Sequence, residues 1–121
     1  MRKRLILGVA ILAAAGLAVG SLAFAGSTTL KLTSSKTALK YNKKTLKAHA
    51  GKITISMNNP SAIFQHDVAI KIKGKVHKSK LAGHNQTVKL TLTLKPGKYT
   101  FYCTVPGHAA AGMKGTLIVS K

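Results

Sequence analysis

The sequence predicts an all-β protein, a sandwich of antiparallel sheets that each bury one face. Apolar and polar residues alternate with period two in stretch after stretch from Thr29 to Val119. Gly, Pro or Asn punctuates the gaps between these stretches, and no convincing helix-period pattern occurs beyond residue 26. Repeated alternation of this kind marks half-buried strands joined by turns.

The chain begins differently. Met1-Arg2-Lys3-Arg4 is basic, Leu5–Val19 is apolar, and Ala23-Phe24-Ala25 precedes Gly26-Ser27. A positive start, a short apolar run and a small-x-small site make residues 1–25 a secretory signal peptide. The competing expectation is an uncleaved N-terminal anchor, since no charge falls between Leu5 and Leu30 and such a run is long enough to span a bilayer. Either way the protein is exported, to the periplasm or the outer side of the cell envelope. Residues 26–121 form the one folded domain.

The strands follow in order. Thr29–Thr33 turns Leu30 and Leu32 to one side. Ile53, Ile55 and Met57 alternate with Lys52, Thr54 and Ser56. Val68, Ile70 and Ile72 alternate with Ala69, Lys71 and Lys73. Val88, Leu90, Leu92 and Leu94 alternate with lysines and threonines. Tyr99, Phe101, Cys103 and Val105 share a face, and Thr116–Val119 closes the set. The turns fall at Ala50-Gly51, Asn58-Asn59-Pro60, Lys73-Gly74, Gly83-His84-Asn85 and Pro96-Gly97, each rich in residues that tolerate turn geometry. Most lysines occupy the outward phase, which keeps strand edges from pairing with other molecules.

Composition removes several function classes. The 121 residues contain 20 Lys plus Arg and one acidic residue, Asp67, for a formal charge of +19. An enzyme using paired carboxylates is excluded. The single Cys excludes an intramolecular disulfide and zinc sites that need two or more cysteines. Without residues 1–25 the chain loses Arg2, Lys3 and Arg4 and keeps +16. That charge would suit nucleic acid, but the chain shows no basic stretch interleaved with aromatics and no reader motif. A Cys–His hydrolase needs an oriented base and an oxyanion hole, whereas Cys103 sits at the end of a strand. The protein is expected not to be an enzyme.

The chemistry concentrates in Cys103-Thr104-Val105-Pro106-Gly107-His108-Ala109-Ala110-Ala111-Gly112-Met113, a C-x4-H-x4-M loop between two strands. Upstream, His66 shares the inward phase of Val68 and Ile70, as Cys103 shares that of Phe101. Two strands and a loop can therefore aim His66, Cys103, His108 and Met113 at one point. Taken singly, an inward Cys or Met is ordinary packing. Together, a thiolate, two imidazoles and a thioether suit copper in both of its biological oxidation states. His49, His77 and His84 lack partners at ligand spacing and read as surface residues. Asn85-Gln86-Thr87 matches a glycosylation sequon by chance.

At these residues the sequence resembles the cupredoxin family, the small type 1 blue copper proteins that include plastocyanin and azurin. Its loop spacing is most similar to that of auracyanin and rusticyanin. The similarity runs from Lys40-Tyr41-Asn42 through Ala50–Ile55 and Asn58-Asn59 to His66, then from Leu94-Lys95-Pro96-Gly97-Lys98-Tyr99 past Gly115-Thr116-Leu117. The resemblance implies a Greek-key sandwich of about seven to eight strands and one type 1 copper ion per chain. It implies His66, Cys103 and His108 as in-plane ligands and Met113 as the axial one. It also implies an apolar patch for electron entry at Pro106, Gly107, Ala109, Ala110 and Ala111. One departure stands out: relatives often carry Asn after the first ligand His, where it ties the ligand strands together, and here that residue is Asp67. Whether Asp67 makes the same tie is open, and its charge would lower the potential.

The expected function is a one-electron carrier, monomeric, serving redox proteins such as a cytochrome, oxidase or reductase with an acidic docking face. An anionic membrane surface is a further partner that the charge suits. The alternative is copper storage, delivery or resistance. Carriers of exchangeable copper favour open, Met- and His-rich sites, and beyond residue 25 only Met57 and Met113 are methionines.

Overall fold

The computed structural model describes residues 26–121, so the signal-peptide reading of residues 1–25 lies outside the described residues. Eight strands make up the domain: β1 Ser27–Thr33, β2 Thr45–His49, β3 Gly51–Asn59, β4 Ala69–Ile72, β5 Lys75–Lys78, β6 Gln86–Leu94, β7 Gly97–Tyr102 and β8 Lys114–Ser120. No helix occurs among the described residues. The strands form two sheets, one ordered β1-β3-β6 and the other β2-β8-β7-β4-β5.

The alternation sorts residues onto faces as expected. In β3, Ile53, Ile55 and Met57 are buried while Lys52, Thr54 and Ser56 look outward. Leu32, Leu90, Leu94, Ile70, Phe101, Leu117 and Val119 join them in one core between the sheets. Phe101 is fully buried and its ring lies 5.6 Å from that of Tyr41. Opposite it in the ladder stands Gly115, where a Cβ would run into the Phe101 ring and come within 2.6 Å of the Lys44 carbonyl. Only the absence of a side chain there lets the aromatic ring seat itself.

Four details differ from the sequence expectation. The sheets are not wholly antiparallel, because β1–β3 and β2–β8 are parallel pairs. The chain visits the second sheet as β2 between β1 and β3. A period-two pattern reports the buried face and not the direction of the neighbour. Strands β2 and β5 have no counterpart in the sequence reading. The first offers only Leu46 and Ala48 to the core, and the second is an edge strand whose Val76 is exposed. Ala69, assigned to the polar phase, is fully buried, since its ladder neighbours Tyr102 and Lys78 are long enough to cover it. The strand expected through Val105 stops at Tyr102, leaving Cys103 just beyond it.

The Lys73-Gly74 turn joins β4 to β5 with φ of 49° and 82° at its two residues, the left-handed pair that a two-residue hairpin requires. The end of β3, the starts of β4, β6 and β8 and the end of β7 all meet at one end of the sandwich. The candidate ligands lie in the connections there.

Candidate metal centre

His66 lies in the segment that links β3 to β4. Its backbone makes a two-way bridge with Ala82, N–H to carbonyl at 3.1 and 2.7 Å. Asn59, the last residue of β3, holds the same region. Its Oδ1 accepts from the Ser34 hydroxyl at 2.8 Å and the Ser61 amide at 2.9 Å, and its Nδ2 donates to the carbonyls of Phe64 (2.9 Å) and Ala82 (2.8 Å). A fully buried side-chain amide is thus satisfied at both ends.

The other three candidates follow β7. The Cys103 amide donates to the Met113 carbonyl at 3.2 Å, and the Met113 amide to the His108 carbonyl at 3.0 Å. Between them the chain coils through short turns, His108 to Val105, Ala111 to Gly107 and Gly112 to Ala109, each at 3.0–3.1 Å. Gly107 and Gly112 take φ of 83° and 116°, a region that residues with a Cβ avoid. Backbone bonds alone therefore bring Cys103, His108 and Met113 together.

The donor atoms converge. His66 Nδ1 lies 3.2 Å from His108 Nδ1, and Cys103 Sγ lies 3.9 Å from the first and 3.6 Å from the second. The centre of that triangle is about 2.1 Å from each atom, within the range of metal–imidazole and metal–thiolate bonds, about 2.0–2.3 Å. All three residues are buried. Met113 is fully buried in the same cluster as Cys103.

Burial dominates the electrostatics of His66 and Cys103. Burial, helped by the neighbouring His108, holds the His66 imidazole below its usual pKa, with Asp67 pulling the other way. Burial also raises the Cys103 thiol, while the backbone amides of Asp67 and Val105 favour the thiolate. Nε2 of His66 is buried without a partner among the described residues. A ring that presents Nδ1 as a metal donor carries its proton on Nε2. The donor set, its size and its burial fit a soft metal such as copper.

The sequence profile of the copper-binding proteins of the plastocyanin/azurin family matches residues 28–120. The chain belongs to that family. A plastocyanin from Synechococcus sp. (strain JA-2-3B'a(2-13)) is 34% identical over 131 aligned positions, covering 98% of this chain and 93% of that protein. The solved structure of auracyanin A, a "blue" copper protein from Chloroflexus aurantiacus, matches at a TM-score of 0.71 and 29% sequence identity, over 78% of this chain and all of that one. Rusticyanin from Thiobacillus ferrooxidans shares the fold at a TM-score of 0.63 and 20% identity, over 78% of this chain and 79% of that one. The protein is a cupredoxin, and its cofactor is type 1 copper.

Around the cupredoxin centre, Asp67 answers the question its identity raised. Its Oδ1 accepts from the Thr104 amide at 2.7 Å and its Oδ2 bonds the Thr104 hydroxyl. The residue after His66 is thereby tied to the residue after Cys103. Tyr41 supports the same point, donating its hydroxyl to the Asp67 carbonyl at 2.6 Å. Burial raises the Tyr41 phenol far above its ordinary pKa, so it stays a donor.

Three of these contributors were missing from the sequence reading. Asn59 and Tyr41 are two. The third is Phe64, whose ring centre lies 6.0 Å from that of His66 and 5.8 Å from that of His108, edge-on to the latter. A signal existed for two of them, since Asn59 continues the inward phase of Ile55 and Met57, and Phe64 shares that of His66. The patch residues Pro106, Gly107, Ala110 and Ala111 are exposed and Ala109 is half-buried. They surround His108, 8% exposed, and Pro106, Gly107, Ala109 and Ala110 line a cleft of about 490 Å³ beside Cys103. Ile63, 68% exposed, adds an apolar side chain to this end that the sequence reading omitted. His49, His77 and His84 lie outside the donor cluster.

Proposed function

We propose that this cupredoxin is an exported one-electron carrier, with His66, Cys103 and His108 as the trigonal ligands and Met113 as the axial one. The observation that carries the reading is the donor triangle, closed and buried by the protein alone. Bound copper supplies a one-electron couple. The protein's part is to keep three ligands from moving when the charge changes. Cys103 is fixed by the hydrogen bond from its amide to the Met113 carbonyl and, through Thr104, by Asp67. His66 is fixed by Ala82 and Asn59, and His108 by its own turn. Ligands that stay put make the reorganisation on electron uptake small, and transfer is correspondingly fast.

The electron arrives from one redox protein and leaves to another through the apolar surface around His108, where the imidazole comes closest to solvent. The lysines favour partners with an acidic face. Ser27 pairs with Lys52 at the start of β3, while Asn59 at the far end of that strand reaches the centre. Ser27, close to where a leader or anchor would join the domain, thus lies at the end away from the candidate ligands. A closed thiolate site also argues against rapid copper exchange, and so against storage or delivery.

The test is the visible spectrum of the purified protein after addition of Cu(II). An intense thiolate-to-copper band is expected, absent in Cys103→Ser while the fold persists by circular dichroism. A colourless wild type with its thiol intact overturns the assignment.

A further inference from the structure

Asp67 is the only acidic side chain of a chain with a formal charge of +19. It is not on the surface among the lysines, where a carboxylate would be cheaply solvated, but 3% exposed beside the candidate ligands. Its side chain bonds the amide and hydroxyl of Thr104, and its carbonyl takes the Tyr41 hydroxyl. All of these partners are uncharged. A buried carboxylate in such a place needs a counter-charge, because hydrogen bonds to neutral groups offset only part of its lost hydration.

We infer that the oxidised metal centre is the counter-ion of Asp67, so that this carboxylate sets the reduction potential below that of the same site with a neutral residue. The inference rests on the one-electron reading above. A divalent ion with Cys103 as thiolate leaves one net positive charge, which Asp67 cancels. When a one-electron donor reduces the centre, that positive charge disappears and the carboxylate remains buried without its partner. Reduction is therefore opposed by Asp67, while the Thr104 tie is the same in both states. The residue thus has two separable jobs, a positioning bond and a charge. With an effective protein dielectric of about 20, one charge at neighbouring-residue range shifts a binding ratio by about tenfold or more. For a one-electron couple each tenfold corresponds to about 59 mV.

The experiment compares wild type, Asp67→Asn and Asp67→Ala by voltammetry of the copper-loaded protein and by thermal unfolding of the metal-free protein. Asn keeps the shape and an oxygen to accept from the Thr104 amide, whereas Ala removes both tie and charge. The charge role predicts that Asn and Ala both raise the Cu(I)-over-Cu(II) affinity ratio at least about tenfold, a shift of about 59 mV or more. It also predicts that only Ala lowers the metal-free unfolding midpoint markedly. Competition titration with Cu(I) and Cu(II) chelators reads the same ratio for a variant that gives no clean wave. A wild-type wave that Asp67→Asn leaves in place overturns this inference and spares the carrier reading. A wild type with no reversible wave overturns both.

Discussion

Between Cys103 and Met113 the chain hydrogen-bonds mainly to itself, the tie from Thr104 to Asp67 excepted, whereas between Asn59 and Val68 it bonds largely to distant parts of the sequence. In the first region the bonds link residues up to ten positions apart, such as His108 to Val105 and Cys103 to Met113. In the second they reach Ser34, Tyr41, Ser79, Ala82 and Thr104, at separations from 11 to 37. The two regions bring their candidate ligands to one point, but one is a local device and the other is a product of the whole sandwich. Damage to the first should stay local, and damage to the second should spread to both sheets.

The sharpest way to break this contrast is Asn59→Ala. It strands the Phe64 carbonyl, the Ser61 amide and the Ser34 hydroxyl, all in or near the core, and leaves the Ala82 carbonyl with the His66 amide alone. Buried groups left without partners cost about 1–3 kcal/mol each before relaxation, so a loss of about 3–5 kcal/mol in unfolding free energy is expected. Chemical denaturation of the metal-free protein measures it. A loss under about 1 kcal/mol would show that the segment holds itself and that the contrast is false.

The same contrast explains what was legible. Cys103, His108 and Met113 stand at fixed spacing in one turn, so the sequence displays their relation directly. His66 was readable through its phase with Val68 and Ile70, because a strand carries its orientation in period two. Asn59 reaches Ser34 and Ala82, and Tyr41 reaches Asp67, across 23 to 26 residues, and no local pattern encodes such a contact. Strands β2 and β5 escaped for a related reason. Their pairing with β8 and β4 makes them strands, while their own apolar content is too small to announce it.

Titration separates the regions next, since each holds one perturbed candidate ligand. Burial lowers His66 from its usual 6.5. The unfolded chain then takes up this proton first as pH falls, and the metal-free fold loses stability below about 6.5. Cys103 is raised from its usual 9.0. Here the unfolded chain ionises first as pH rises, and stability is lost above about 9. Each limb is limited to one proton, at most about 1.4 kcal/mol per pH unit. Unfolding measured across pH should show His66→Gln flattening the acid limb and Cys103→Ser the alkaline one. An acid limb that survives His66→Gln would place the responsible group elsewhere.

The smallest effect should come from Gly107→Ala, which tests the self-contained turn. Gly107 has φ of 83° and no atom within 4 Å of where a Cβ would sit. Nothing collides, so the whole penalty is the left-handed backbone, about 1 kcal/mol. The residue is exposed and none of the long-range bonds of the His66 segment passes through it. Unfolding free energy should therefore fall by about 1 kcal/mol, less than for Asn59→Ala. The copper-loaded protein is the more sensitive reporter, because His108 follows directly and the turn sets its ring. The visible band should shift or broaden while the metal-free fold changes little. A loss of stability as large as that of Asn59→Ala, with an unaltered band, would mean that the turn supports the sandwich and not the ligand, and the division between the two regions would have to be redrawn.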